Sequence, residues 1–158
     1  MKKLFLITAV SFLLFGACGE NKSGADEETA KKEKMAKIFG LTVFELDNGI
    51  GPIKEKLNLG PIDAKNVETG KKLFDAKCAQ CHKLDERYTG PAQRDLIERR
   101  SPEYIMNMIL NPVEMVAKHP EAKKMFAQYP TQMTFQNVTQ EDARMMLEYF
   151  RSVDKLKK

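Results

Sequence analysis

Ala64-Lys65-Asn66-Val67-Glu68-Thr69-Gly70-Lys71-Lys72-Leu73-Phe74-Asp75-Ala76-Lys77-Cys78-Ala79-Gln80-Cys81-His82 is the stretch that decides the fold. Val67, Gly70, Phe74 and Cys78 recur at helical spacing and share one face. Outward along the chain the same period returns. Ser101-Pro102-Glu103 is a helix start, with serine as N-cap and proline at the first helical position. Ile105, Met108 and Ile109 then form an apolar stripe that Asn111-Pro112 stops. A weaker helical stretch runs through 121–128 and ends at Pro130. Thr139 with Asp142 forms a capping-box pattern ahead of Ala143, Met146, Leu147, Phe150 and Val153. No stretch sustains strand alternation, so the fold is all-α. Before it, residues 35–61 carry too many apolar residues for a linker and are broken by Gly-Pro at 51–52 and 60–61. They read as a short helix near 28–39 and then an irregular extension packed on a domain spanning 62–158. That domain has roughly 90 residues of core-forming chain, a size that often needs a staple or cofactor.

Cys78-Ala79-Gln80-Cys81-His82 supplies the staple. Two thiols one helical turn apart can each add to a vinyl group of a porphyrin, and the adjacent His82 offers an imidazole nitrogen to iron; this is the attachment pattern of c-type haem. Competing readings fit less well. A closed zinc site needs a fourth ligand, for which only His119 or a carboxylate remains. A thioredoxin-type pair needs a βαβ context that the helical pattern does not provide.

With that motif at the start of a small helical domain, residues 64–153 resemble a class I cytochrome c. The resemblance implies a fold of short helices wrapped around one covalent haem c, held by Cys78 and Cys81, with His82 as the proximal iron ligand. Gly70 and Phe74 match the face of the family's first helix that crosses its last, and Tyr149 matches the aromatic packed into that crossing. Gly90-Pro91 looks like the family's Gly-Pro, whose proline carbonyl accepts the hydrogen bond of the proximal histidine. Two positions further on, where the family often has an aliphatic residue, this chain has Gln93. Residues 112–130 look like an insertion relative to compact members.

The sixth ligand is chosen among nine methionines. In the resembled family it lies on a loop before the last helix, commonly followed by proline. That implies Met133, although Thr134 stands where the proline would be. Met115, Met125 and His119 remain alternatives. Met106, Met108, Met145 and Met146 are read as packing. His119, in Lys118-His119-Pro120-Glu121, is expected to be exposed, and one or two of Arg87, Arg94, Arg99 and Arg100 to face haem propionates.

The N-terminus sets the compartment. Lys2-Lys3 precedes an apolar run, Leu4 to Phe15, too short to span a bilayer. Gly16-Ala17-Cys18 then resembles a bacterial lipobox, with Phe15 where leucine is usual. Residues 1–17 read as a lipoprotein signal, Cys18 as the lipidated mature N-terminus, and 18–34 as a flexible tether. With Lys2 and Lys3 removed, 24 of the 26 basic residues face 22 acidic ones, which excludes the dense cationic surface of a nucleic-acid binder. The expectation is a monomeric, membrane-tethered electron carrier on the periplasm-facing side of a bacterial envelope. It would pass single electrons from a respiratory donor to a reductase or oxidase. Two alternatives stay open: a gas-binding haem protein with an open distal site, and a cytochrome subunit of a larger redox complex. A peroxidase is disfavoured by the single haem motif.

Overall fold

A computed structural model describes residues 24–129 and 131–155, so the expected signal, Cys18 and the first part of the tether lie outside the described residues. The described chain folds as eight helices: α1 (Gly24–Phe39), α2 (Val43–Asn48), α3 (Ala64–Lys77), α4 (Leu96–Arg99), α5 (Pro102–Leu110), α6 (Pro112–Lys118), α7 (Pro120–Gln128) and α8 (Gln140–Lys155). Among the described residues there is no strand, and no helix is long and apolar enough to cross a membrane.

The organising contact is the crossing of α3 and α8. It is close because Gly70 has no side chain: a Cβ there would overlap the Met145 carbonyl of α8. Phe74 then reaches Tyr149 at 5.6 Å and Phe150 at 5.7 Å between ring centres, the latter edge-on. Ile105, Met106, Val138, Met146 and Leu147 complete the main core. Both helix starts read from the sequence are formed. The Ser101 side chain accepts from the Tyr104 N–H. The Thr139 N–H donates to the Asp142 carboxylate at 2.9 Å, and the Asp142 N–H donates to the Thr139 hydroxyl at 3.0 Å.

Three local expectations are corrected. The first helix runs from Gly24, so most of the stretch read as tether up to residue 34 is helical. Its acidic first turn and Lys37 in the last turn suit the helix dipole. Second, Pro112 does not merely stop α5. It sits at the start of α6, where a missing N–H costs nothing. Third, His119 is wholly buried rather than exposed. Its Nε2 donates to the Leu46 carbonyl at 3.1 Å, its Nδ1 accepts from the Glu121 N–H, and its ring stands edge-on to Tyr104 at 5.3 Å. The charged neighbours of His119 in sequence concealed a ring that caps α7 and fastens α2.

The extension is held chiefly through its backbone. Asn107, wholly buried on α5, accepts from the Ile53 N–H and donates to the carbonyls of Asn48, Gly49 and Ile53. One turn earlier, buried Glu103 accepts from the Leu57 N–H; one turn later, Asn111 donates to the Ile50 carbonyl. Arg151 of α8 donates to the Gly60 carbonyl at 2.9 Å. A polar ladder at i, i+4, i+8 on α5 therefore satisfies a segment that has no ladder of its own.

Candidate haem-binding cleft

Helices α3, α5, α7 and α8 and the loops 78–93 and 131–136 enclose a mostly apolar cleft of about 1350 Å³, including the part open to solvent. Cys78, Cys81 and His82 line it together. Cys78 caps α3, its N–H donating to the Phe74 carbonyl, and His82 closes the following turn with its N–H on the Cys78 carbonyl at 2.9 Å. No disulfide joins the two cysteines. Burial pushes the Cys78 thiol up to about 11.

The His82 ring is fixed from two sides. Its Nδ1 donates to the Pro91 carbonyl at 3.0 Å. Gly90 lies against the ring so closely that a Cβ would overlap His82 Cε1. Burial lowers the basicity of the imidazole, opposed by the Pro91 bond. A neutral ring whose Nδ1 is engaged presents Nε2 as the free ligating nitrogen.

Residues 131–139 have no regular structure, and Met133 of this loop lines the cavity. The loop is tethered by Lys77, which donates to the Gln136 carbonyl. It turns into α8 through Asn137, whose φ of 52° suits asparagine. Upstream, Arg87 donates to the Gln128 carbonyl and stacks over Tyr129. Met108, Met125 and Met146 also line the cleft. Met115 does not. It is wholly buried in a second apolar cluster with Ile50, Tyr104 and Ala122, where its sulfur accepts from the Ile50 N–H at 3.0 Å. Both Met115 and His119 are thereby removed from the alternatives for a sixth ligand, each having its coordinating atom committed elsewhere. Of the four arginines, Arg99 and Arg100 line the cleft, whereas Arg94 is paired with Asp85 and bound to the Val153 carbonyl.

A porphyrin fits this site. The walls are mostly apolar, and both cysteines, an oriented imidazole and the thioether side chain of Met133 line the same cleft. The sequence marks Gln93 only as a departure from the family pattern, with no role at the site. Gln93 is nearly buried, with its side-chain nitrogen 2.7 Å from the Pro91 carbonyl oxygen and 2.9 Å from His82 Nδ1. Its polarity at a position often aliphatic in the family was the available signal.

The helical fold and the cleft define a haem-binding electron-transfer domain. The chain belongs to the cytochrome c family: the family model described as Cytochrome c matches residues 67–154. A solved cytochrome c from Rhodothermus marinus is 44% identical, covering 70% of this chain and 96% of its own, with a TM-score of 0.67. An engineered form of that protein, Rma TDE, is 43% identical with the same coverage and a TM-score of 0.66. The engineered form bound to a carbene intermediate, 1-ethoxy-1-oxopropan-2-ylidene, is 42% identical with a TM-score of 0.64, again covering 70% and 96%. Among curated proteins, none matches. The protein is thus a cytochrome c with covalent haem c and an electron-transfer function.

Proposed function

We propose that the protein is a single-electron carrier tethered to the bacterial envelope through a lipidated Cys18. It faces the periplasm and acts as a monomer between a respiratory donor and a terminal reductase or oxidase. The bound haem supplies a one-electron iron couple. Cys78 and Cys81 hold it covalently, His82 Nε2 is the proximal ligand with Pro91 orienting the ring, and Met133 fills the distal position. His82 and Met133 together would leave small ligands little access to the iron, which suits electron transfer rather than turnover of a chemical substrate. The observation that carries this reading is the fixed His82 ring, with Nδ1 on Pro91 O, in a cleft that Met133 also lines.

The wild type should partition with membranes, and washed membranes should reduce and reoxidise it. Cys18→Ser should move it to the soluble periplasmic fraction with its haem intact. A wild type that is soluble and unlipidated by mass spectrometry contradicts the tether. Ligand binding at an open distal position is the second reading, favoured by the carbene held in an engineered relative. Rapid carbon monoxide binding to the reduced wild type would establish it. Co-purification of a stable partner from solubilised membranes would instead make the chain a complex subunit.

A further inference from the structure

We propose that Gln93 is a positioning residue that tunes the electron donation of His82 by sharing the Pro91 carbonyl with it. The inference rests on His82 being the iron ligand, as proposed above. Three atoms form a tight triangle: His82 Nδ1 to Pro91 O is 3.0 Å, Gln93 Nε2 to the same oxygen is 2.7 Å, and the two nitrogens are 2.9 Å apart. The amide nitrogen faces the Pro91 oxygen, where an amide oxygen would set two acceptors 2.7 Å apart; in turn it stands 2.9 Å from Nδ1, a donor–donor approach that weakens the His82 bond further. Iron on Nε2 requires the proton on Nδ1. Two N–H groups then converge on one acceptor.

Gln93 does not drift into this geometry. Its own N–H donates to the carbonyls of Lys83 and Leu84, and the next N–H, that of Arg94, donates to Leu84 at 2.7 Å. Arg99 ties down the carbonyls of Ala92 and Arg94 on either side. A side chain held by its backbone on both flanks and 9% exposed occupies a built position.

The consequence follows from the hydrogen bond that a ligating histidine makes through its other nitrogen, which raises its basicity. An acceptor shared with a second donor polarises Nδ1–H less. His82 therefore stays closer to a plain neutral imidazole, donates less charge to iron, and favours Fe(II) over Fe(III). An aliphatic residue at position 93 would leave the Pro91 oxygen to His82 alone.

The test is NMR of the reduced, diamagnetic holoprotein with Gln93→Leu. The His82 Nδ1–H resonance should move downfield and exchange more slowly with solvent, and the midpoint potential should fall. Leucine also excludes water, which pushes the potential the other way, so the proton resonance is the deciding readout. A resonance that stays in place or moves upfield overturns the proposal. If Gln93→Leu gives no holoprotein, the wild type still decides. One Gln93 side-chain N–H proton should be protected and downfield, and free exchange of both would overturn the shared bond. Ring protons of His82 shifted upfield by the porphyrin report iron ligation separately, so a failure there is distinguishable from a failure of Gln93.

Discussion

The two histidines sit in regions that look alike by composition and differ in one atom. The His119 ring is buried and that of His82 half-buried; each has its basicity lowered mainly by burial, and each donates one N–H to a backbone carbonyl: His82 to Pro91, His119 to Leu46. The remaining nitrogen separates them. That of His119 accepts from the Glu121 N–H and caps α7, whereas Nε2 of His82 is left for a ligand. The same contrast divides the methionines: the Met115 sulfur is spent on the Ile50 N–H, and Met133 sits on an irregular loop. A residue type marks a candidate ligand; whether its last lone pair is already used decides the matter.

The largest expected effect breaks the contrast outright. His82→Ala should reduce recovered low-spin holoprotein well beyond the about 10–100-fold that losing a supporting partner costs a metal site. His119→Ala should leave the visible spectrum unchanged while lowering stability by about 3–5 kcal/mol in denaturant titration, through a cavity beside Tyr104 and a lost cap. Met115→Ala should cost about 2–5 kcal/mol with an unchanged spectrum, because it empties the second cluster and strands the Ile50 N–H.

Acid sharpens the comparison at smaller scale. His119 is the second of the chain's two histidines. Burial holds its folded-state value below the ordinary 6.5, opposed by the Leu46 and Glu45 carbonyls and Glu121, with Arg100 reinforcing it. The unfolded chain thus takes up a proton first as pH falls. The stability His119 contributes is full above about 6.5 and is lost as pH drops through the lower folded value, by at most about 1.4 kcal/mol per pH unit. His119→Gln should flatten that part of the stability profile, and an unchanged slope would show that His119 does not titrate there.

What the sequence disclosed was local. The Cys-x-x-Cys-His spacing, the Ser101-Pro102 start, the Thr139–Asp142 cap and the Gly70/Phe74 face each lie within a turn or two of chain, and each is formed. What it hid depends on distant backbone. Asn107 stands in the apolar run Ile105-Met106-Asn107-Met108 because its amide serves residues 48–53, more than 50 positions away. His119 turns inward for Leu46, 73 positions away. The extension could be read as packed, but not which side chains hold it, since an irregular segment announces no register. Glu103, Asn107 and Asn111 at helical spacing were the available sign.

The central claim, that His82 and Met133 form the axial pair, is tested most directly by redox titration and carbon monoxide binding of Met133→Ala beside Met125→Ala. Loss of a thioether ligand should lower the potential and let the ferrous protein of Met133→Ala bind carbon monoxide readily, with Met125→Ala behaving as wild type. A wild-type potential in Met133→Ala, with the shift appearing in Met125→Ala instead, would contradict the account.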